Sequence, residues 1–339
     1  MKFLKIPSKL AEKIRLELID ANLISNEYNI FNEGGFVFIP VKKQWKDFEL
    51  MERKAKKRPT EHKNLHDLLI NLLNEEELEQ LTTSFDIVGD IAIIEIPDSL
   101  ESKEKEIGEA LLKVHKNLKS VFKKLSAMEG EYRIRKLGFV AGENNTKTVY
   151  REHGCRMKLD LSKVYFSVRL SHERERIANL VKDGEKIIVM FAGIGPFPLV
   201  ISKKHPNTEI IAIEINPEAV KYMKQNIALN YAENIIVEEG DAKKIMGKYQ
   251  NLADRIVMPL PKSAHEFLDV AFSAAKNGAT IHFYSITTSF EEALDKVQKI
   301  ASENNVTIKL LSKRIVRPYS HDMNQIVLDF QLIKSKNKS

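Results

Sequence analysis

The sequence predicts an α/β fold that ends in a doubly wound, largely parallel sheet. From Lys186 onward, short apolar runs alternate with amphipathic segments of helical period, as in parallel strands joined by helices. Gly193 and Gly195 follow the first apolar run, where a strand turns sharply into a helix. The last two predicted strands, 307–316 and 325–332, have no helix between them, so we expect an antiparallel pair at the sheet edge.

The first 60 residues predict a small separate unit. A helix is expected from Ser8, as its N-cap, to Ala21, followed by short strands around 34–40. A basic run then contains Arg53, Lys54, Lys56, Lys57 and Arg58. Such a run is either a solvated linker or a contact for a phosphate backbone, and the sequence leaves both interpretations open. A second basic cluster, Lys334, Lys336 and Lys338, is interpreted as a solvated tail.

Residues 61–160 predict an α+β domain. We expect a helix over 65–81, a strand–turn–strand unit over 86–96 and a helix over 103–118. This mixture lacks the regular alternation of strand and helix that marks the later part of the chain, and it is typical of an α+β arrangement.

Residues 161–339 predict the doubly wound domain. Strands are expected at 187–191, 210–214, 235–239, 255–258 and 280–285, and helices at 197–204, 217–229, 264–275 and 289–303. In such a sheet the carboxyl ends of the parallel strands meet at one edge, and ligands bind in the crevice outside that edge. The residues that follow these strands are therefore the first candidates for a binding site.

Composition narrows the class of protein. A chain of 339 residues with 43% apolar and 29% charged residues is typical of a globular protein of two or three domains. The single cysteine, Cys155, excludes a disulfide framework and a cysteine-rich zinc site, and the histidines show no metal-ligand spacing. There is neither an apolar run of membrane-spanning length nor a signal-peptide core. We therefore expect a cytoplasmic monomer without a metal or a membrane partner.

Three strand ends carry groups suited to a nucleoside. Phe191, Gly193 and Gly195 follow the first strand next to a helix N-terminus, where the backbone can approach a ligand closely. Glu214 ends the second strand about 20 residues downstream, the usual place of a carboxylate that binds a ribose diol. Asp241 follows the third strand, where an adenine could be recognised. The alternative is a sheet whose loops hold glycines and acids by chance.

A nicotinamide cofactor is the natural rival for this site. Pro198 stands where the dinucleotide pattern has its third glycine, so close helix packing around a pyrophosphate is not encoded. The final pair of strands also replaces a second mononucleotide-binding half. Both observations favour a nucleoside without a pyrophosphate, and S-adenosylmethionine is the predicted cofactor.

Short motifs upstream of the nucleotide fold resemble a known enzyme family. In order along the chain they are Gly130-Glu131-Tyr132-Arg133-Ile134-Arg135, Ala141-Gly142-Glu143-Asn144, Val164-Tyr165-Phe166-Ser167, Arg169-Leu170 and Glu173-Arg174-Glu175-Arg176-Ile177. They are similar to those of the archaeal and eukaryotic tRNA (guanine-37-N1) methyltransferases, and the likeness covers almost the whole chain. The resemblance implies a small tRNA-elbow-binding domain with a linker (1–60), a middle RNA-binding domain (61–160) and a class I, Rossmann-like methyltransferase domain (161–339).

The resemblance implies catalytic roles for Glu173 and Arg133. The N1 atom of guanine carries a proton, which a positioned carboxylate can accept during methyl transfer, and a cationic donor can stabilise the charge that develops on O6. By resemblance Glu173 is the base and Arg133 the O6 donor. The alternatives are a solvated helix start at 173–176 and an ordinary exposed strand that carries Arg133 and Arg135.

Further residues are expected to bind the cofactor or the RNA. By resemblance, cofactor contacts are made by Arg174, Glu214, Ile215, Asp241 and Ala242. The turn after the first strand adds Phe191, Gly193 and Gly195, and the stiff turn at Pro259 and Pro261 adds exposed backbone carbonyl groups. The expected RNA contacts are Arg135, Lys163, Arg169 and Lys262, together with Tyr165, which can stack on a base.

Two positions depart from the family pattern. An acid that commonly ends the first strand is replaced by Val189 or Met190, and Met258-Pro259-Leu260-Pro261 lacks the asparagine that commonly precedes the proline. These departures resemble the archaeal subgroup of wyosine synthesis, in which a related enzyme also methylates carbon 7 of the tricyclic base. The predicted activity is therefore N1 methylation of guanine 37 in tRNA, with carbon 7 as a second acceptor. The alternatives are an aminocarboxypropyl transferase acting at the same tRNA position, a non-catalytic RNA-binding protein and a small-molecule methyltransferase.

Overall fold

The computed structural model describes residues 1–21, 23–25, 27–55, 65–70, 72–81, 84–126 and 130–334, with the backbone alone for His66. Lys56, Lys57 and Arg58 of the basic run, and Lys336 and Lys338 of the tail, lie outside the described residues. The chain divides into two compact units, Met1–Leu78 and Glu79–Ser339. Within the described ranges, no helix has both the length and the apolar character needed to cross a membrane.

The N-terminal unit is built on a four-stranded antiparallel sheet in the order β2-β3-β1-β4. Its elements are β1 (Lys2–Pro7), α1 (Ala11–Asp20), β2 (Phe31–Glu33), β3 (Phe36–Pro40) and β4 (Glu49–Glu52). Leu4, Ile14 and Ile39 belong to the buried core that the helix and the sheet share. The prediction that Ser8 is the N-cap is wrong, because its hydroxyl donates to the Gly35 carbonyl and α1 begins only at Ala11.

The single helix predicted over 65–81 is wrong, since two shorter helices, α2 (Leu65–Leu69) and α3 (Glu75–Gln80), occupy this segment. The second helix has a local start signal at Asn74. Its side chain accepts the N–H of Glu77 at 2.9 Å, and the Glu77 carboxylate accepts the N–H of Asn74 at 2.8 Å. This reciprocal pair is a capping box, which begins a new helix and so interrupts the longer one.

A mixed four-stranded sheet opens the second unit. Its strands are β5 (Phe85–Val88), β6 (Ile91–Ile94), β7 (Ser120–Lys124) and β8 (Leu137–Gly142) in that order, and β6 and β7 are parallel. Helix α4 (Glu104–Val114) joins the two parallel strands, and a hairpin of β9 (Lys147–Glu152) and β10 (Cys155–Asp160) follows the sheet. The predicted strand–turn–strand unit is confirmed, and the predicted helix over 103–118 is shorter at both ends.

The predicted doubly wound sheet is confirmed, with seven strands in the order β13-β12-β11-β14-β15-β17-β16. The strands from β11 to β15 are parallel, and β17 and β16 add the expected antiparallel pair at the edge. Its elements are α5 (Ser171–Leu180), β11 (Lys186–Val189), α6 (Pro196–Lys204), β12 (Glu209–Glu214), α7 (Pro217–Asn230), β13 (Ile235–Glu239), α8 (Ala242–Ile245), β14 (Ala253–Met258), α9 (Leu268–Ala274), β15 (Ala275–Thr287), α10 (Phe290–Glu303), β16 (Val306–Pro318) and β17 (Asn324–Lys334).

Several element boundaries differ from the sequence prediction, and three of these differences have a clear structural reason. β11 ends at Val189 and not at Phe191, which has a φ of 56° and cannot continue a strand. The helix predicted over 264–275 begins as a 3-10 turn, Ala264–Phe267, before α9. β15 is longer than predicted because it pairs with β14 on one side and with β17 on the other.

The strand order determines where a ligand can bind. β11 lies between β12 and β14. After β11 the chain forms β12 and β13 on one side of it and then crosses over to form β14 on the other side. Such a reversal opens a crevice at the carboxyl ends of the strands. Ile187, Ile188 and Val189 are fully buried, as expected for a strand covered on both faces.

Candidate active site

A cavity of about 550 Å³ opens at the carboxyl ends of β11, β12, β13 and β14. Its volume lies in the usual range of small-molecule and cofactor sites. Its lining includes the residues that follow these strands and two segments from upstream of the sheet, 130–133 and 165–167. The cavity therefore joins the strand ends that predicted a nucleoside site to the motifs that resemble a tRNA-modifying family.

Positive φ angles shape the turn after β11. Phe191, Gly193 and Gly195 have φ values of 56°, 59° and 89°. This conformation is unusual for a bulky residue such as Phe191. A Cβ atom at Gly195 would lie 3.0 Å from Cγ of Met223, whereas one at Gly193 would meet nothing nearer than the Tyr165 carbonyl oxygen at 3.9 Å. The positive φ and the close approach of Met223 therefore favour glycine at position 195, and Gly193 leaves its backbone open to a ligand.

The Glu214 carboxylate, at the end of β12, is held by the backbone. One oxygen accepts the N–H of Gly193 at 2.7 Å, and the other accepts the N–H of Asn216 at 2.8 Å. Burial raises the pKa of Glu214 above its ordinary value, and the backbone hydrogen bonds partly offset this rise. A carboxylate has about four acceptor positions, so Glu214 can still accept from two neighbouring hydroxyl groups.

An aromatic corner and the start of α8 form another part of the wall. The rings of Phe191 and Phe267 meet edge to face with their centroids 4.8 Å apart, and both residues line the cavity. Asp241 caps α8, since its Oδ1 accepts the N–H of Lys243 at 2.9 Å. Flat apolar surfaces next to the carboxylates of Glu214 and Asp241 fit an adenosine moiety, which has an aromatic base and a ribose diol.

The structure brings most of the predicted cofactor residues together. Those that line the cavity are Arg174, Phe191, Gly193, Glu214, Ile215, Asp241, Ala242 and Pro259. Gly195 and Pro261 are not among the lining residues. The carbonyl oxygen of Pro261 accepts the N–H of Ile286 at 3.0 Å.

The positions that depart from the family pattern belong to the core of the sheet. Val189, Met190 and Met258 are fully buried, and none of them lines the cavity. Their side chains pack with apolar neighbours, so these strand ends offer a ligand no carboxylate or amide group.

Arg133 reaches the cavity from a turn, so the alternative of an exposed strand is wrong for this residue. Its guanidinium lies 5.2 Å from the ring centre of Tyr165, which also lines the cavity. A guanidinium stacked on a ring keeps N–H donors in its own plane for another partner. Arg135 is not a lining residue, and its Nε atom is buried without a hydrogen-bond partner among the described residues.

Glu173, the predicted base, lies on the first turn of α5 and is not among the lining residues. Its side chain is 6% exposed and accepts hydrogen bonds from the Tyr284 hydroxyl at 2.6 Å and from Nη2 of Arg176 at 2.6 Å. The next residue, Arg174, lines the cavity and pairs with Glu152 at 2.7 Å. The alternative of a solvated helix start is therefore wrong, because these charges are held in largely buried ion pairs.

The residues predicted to contact phosphate groups differ in whether they form ion pairs within the chain. Lys262 is exposed at the cavity. Lys163 pairs with Glu218 at 3.1 Å, and Arg169 pairs with Asp86 at 2.8 Å. Both ion pairs are solvent-exposed and therefore weak, so phosphate groups can compete for the two cations.

Sequence reasoning missed several residues that line the cavity, namely Ser167, Leu170, Phe197, Lys243, Glu266 and Phe267. Phe267 was hidden because it falls within the helix predicted over 264–275, where an aromatic residue is normally assigned to the core. Its closeness in sequence to the end of β14 was the available signal. Among the residues that the structure describes, no group of three or more histidine, cysteine or acidic side chains is arranged to hold a metal ion.

Three family profiles match successive parts of the chain. Residues 148–309 match the TRM5/TYW2 methyltransferase domain, residues 65–146 match the TYW2 N-terminal domain, and residues 4–49 match the tRNA methyltransferase 5 N-terminal domain. The three profiles follow one another along the chain and together span most of the sequence.

Known proteins of this kind are similar over most of their length. "tRNA (guanine(37)-N(1))-methyltransferase Trm5b" from Pyrococcus abyssi is 42% identical over 336 residues, which are 97% of this chain and 98% of the relative. "tRNA (guanine(37)-N(1))/4-demethylwyosine(37)-methyltransferase Taw22" from Nanoarchaeum equitans is 34% identical over 272 residues, 65% of this chain and 90% of the relative. The solved "complex structure of aTrm5 and tRNALeu" is 34% identical, with a TM-score of 0.72 over 98% of this chain and 99% of that chain.

Proposed function

The chain belongs to the TRM5/TYW2 methyltransferase family, and we propose that it transfers a methyl group from S-adenosylmethionine to N1 of guanine 37 in the anticodon loop of tRNA. The observation that carries this proposal is the single cavity in which Glu214 and Asp241 meet Arg133 and Tyr165. Enzymes that modify a base take it out of its stack into a pocket, so cofactor and purine must meet in one space. The name of the Pyrococcus abyssi relative and the solved complex with tRNALeu support this activity and this partner.

The lining residues suit S-adenosylmethionine, which supplies a methyl group on a positively charged sulfur. Glu214 accepts hydrogen bonds from the ribose hydroxyl groups, and Asp241 and the backbone of Ala242 bind the edge of the adenine ring. Phe191 and Phe267 enclose the flat face of that ring. The other cofactor contacts proposed are the Gly193 backbone, Arg174, Ile215 and Pro259, with Gly195 and Pro261 shaping the turns that carry them.

Two residues of the chain act on the guanine. Arg133 donates to O6, where charge develops as N1 loses its proton, and the Tyr165 ring supports the guanidinium. Glu173 accepts the N1 proton. Because its carboxylate faces Arg176 and Tyr284 and not the cavity, this role requires the Glu173 side chain to turn when the base is bound.

The tRNA contacts follow from the remaining basic residues. Lys262, Lys163, Arg169 and Arg135 bind phosphate groups near the cavity, and the domains 1–60 and 61–160 bind the body of the tRNA while 161–339 carries out the transfer. We propose that the enzyme acts as a monomer in the cytoplasm.

Carbon 7 of the wyosine precursor is the proposed second acceptor. The support comes from the apolar strand ends at Met190 and Met258 and from the dual name of the Nanoarchaeum equitans relative. An aminocarboxypropyl transferase is not favoured, because residues 4–49 match the tRNA methyltransferase 5 N-terminal domain and the relative with 42% identity carries the methyltransferase name. A non-catalytic RNA-binding protein would not need a cavity around Glu214 that suits a nucleoside.

The test compares two tRNA substrates, one with guanine 37 and one with the tricyclic precursor. Mass analysis of the RNA after incubation with S-adenosylmethionine separates a methyl adduct from the heavier aminocarboxypropyl adduct. We expect methylated guanine with wild type and loss of that product with Glu173→Gln. Glu175→Gln is the matched control, since its side chain lies on the same helix and is 52% exposed.

A heavier adduct would refute methyl transfer. Absence of any product, together with absence of S-adenosylmethionine binding in calorimetry, would refute the enzymatic function altogether. Full activity of Glu173→Gln would remove Glu173 from the role of base.

A further inference from the structure

A row of buried polar groups begins at Glu173 and runs between α5 and the sheet. Arg176 lies between two carboxylates, with Nη2 2.6 Å from Glu173 and Nη1 2.6 Å from Asp329 of β17. The Tyr284 hydroxyl, on β15, donates to Glu173 at 2.6 Å. The side chains of Glu173 and Asp329 are 6% and 5% exposed, so water screens these charges poorly.

The row continues through His282 to the other end of the sheet. Nδ1 of His282 lies 2.6 Å from Asp329, and Nε2 lies 2.7 Å from Nη1 of Arg255 on β14. Arg255 forms a two-bond pair with Glu185, at 2.7 Å and 2.9 Å. These residues are separated widely in sequence and meet because β14, β15 and β17 are neighbours in the sheet.

The hydrogen bonds fix the protonation state of His282. A guanidinium has only donors, so Nε2 must accept from Arg255 and cannot carry a proton. The ring is then neutral, and its one proton lies on Nδ1 and is donated to Asp329. Burial lowers the pKa of His282 below its ordinary value, which acts in the same direction.

The charges of this row do not cancel. Glu173, Asp329 and Glu185 are negative, Arg176 and Arg255 are positive, and His282 is neutral. Arg255 and Glu185 compensate each other, so Arg176 alone faces two carboxylates. The row therefore has one negative charge in excess, and uptake of one proton would make it neutral. Buried excess charge is costly, so the row can accommodate a proton that Glu173 receives from the base.

Asp329 decides whether Glu173 can take up this proton at low cost. If Arg176 had only Glu173 as its partner, protonation of Glu173 would leave a buried guanidinium without a counterion. Since Asp329 also binds Arg176, the guanidinium keeps a carboxylate partner throughout. Arg174, the residue next to Glu173, pairs with Glu152, so it does not change the net charge of the row.

We propose that Arg176, Asp329 and Tyr284 are positioning residues for Glu173. Before the base is bound they hold Glu173 as a carboxylate, and when Glu173 turns to accept the guanine N1 proton, Asp329 keeps Arg176 paired. The inference rests on the proposed function. In the transfer step the N1 electron pair forms the bond to the methyl carbon, the bond from that carbon to sulfur breaks with its electrons remaining on sulfur, and the N1 proton passes to Glu173.

The test is the pH profile of methyl transfer in a single turnover, with tRNA that carries guanine 37 and saturating S-adenosylmethionine. In Asp329→Asn, Arg176 pairs with Glu173 alone and stabilises its charged form more strongly. The acidic limb of the profile should then move to lower pH by about one unit, the size expected for a neighbouring charge in a poorly screened site. The rate at the plateau should also fall.

Tyr284→Phe removes a hydrogen bond to the charged form of Glu173, so its acidic limb should move in the opposite direction, to higher pH. A merely structural role would lower the rate of both variants without opposite shifts. Asp254→Asn is the matched control, because Asp254 pairs with Lys276 outside the row, and its profile should equal that of wild type.

Melting temperature and S-adenosylmethionine affinity show which variants are folded. Acidic limbs that stay at the wild-type pH in the folded variants, or that move together, would overturn the inference. The proposed function fails separately, if wild type itself produces no N1-methylguanine.

Discussion

Glu214→Gln tests the cofactor site most directly, because it changes the charge of this group and not its size. The carboxylate accepts from the Gly193 and Asn216 N–H groups, and it is proposed to accept from two ribose hydroxyl groups as well. An amide has one acceptor oxygen, so one of its sides presents an N–H₂ group to a donor. Hydrogen bonds to charged groups contribute about 1.5–3 kcal/mol each, so we expect a loss of about 3 kcal/mol, or about a hundredfold in the Kd of S-adenosylmethionine.

Isothermal titration calorimetry measures this loss, and Glu239→Gln is the matched control. Glu239 pairs with Glu214 in the register of β12 and β13, but it is exposed and does not line the cavity. A Kd of Glu214→Gln equal to that of wild type and of the control would refute the assignment of the ribose site.

We also expect Glu214 to make the binding of S-adenosylmethionine dependent on pH. Burial raises the pKa of Glu214 above its ordinary value, so protonation begins at a higher pH than for an exposed glutamate. The protonated form loses acceptor capacity, and the affinity of wild type should fall as the pH decreases through this pKa. The affinity of Glu214→Gln should not share this decline. An identical decline in both proteins would assign it to another group.

Three further changes probe the turn after β11, the proposed role of Arg133 and the proposed phosphate contact of Lys262. Gly195→Ala should destabilise the fold by about 1–3 kcal/mol, since φ is 89° there and the new Cβ would meet Met223. Thermal melting measures this loss of stability. The control is Gly247→Ala, whose new Cβ would meet no atom within 4 Å and which should melt as wild type does. Arg133→Lys should lower the rate of methylation by about a hundredfold with unchanged cofactor affinity, because lysine lacks the planar set of donors. Arg151 lies on β9 and is exposed, so an equal loss in the control Arg151→Lys would contradict this role. Lys262→Gln should weaken tRNA binding and reduce the slope of log affinity against log salt by about 0.7–0.9; a slope that stays at the wild-type value would exclude a phosphate contact.

The parts of the structure that follow from local pattern were predictable from the sequence. The alternation of apolar runs and amphipathic segments gave the doubly wound sheet, and the rule that ligands bind at strand ends led to Glu214 and Asp241. The capping box at Asn74 was also a local signal, and recognising it would have divided the helix predicted over 65–81. In contrast, Arg176 meets Asp329 across 153 positions of sequence, and periodicity carries no information on such a contact.

The buried surroundings of Glu173 also bear on which base the enzyme accepts. Guanine N1 becomes a good nucleophile only when its proton leaves, so a base must act at the time of transfer. A carbon acceptor attacks with its π electrons and can lose its proton afterwards, which makes it less dependent on a base in that step. Glu173→Gln should therefore reduce N1 methylation more than methylation of carbon 7. Met190 and Met258 provide no polar group at the cavity, and the proposed contacts of Arg133 and Tyr165 use a donor and a flat ring that suit both guanine and a tricyclic base derived from it.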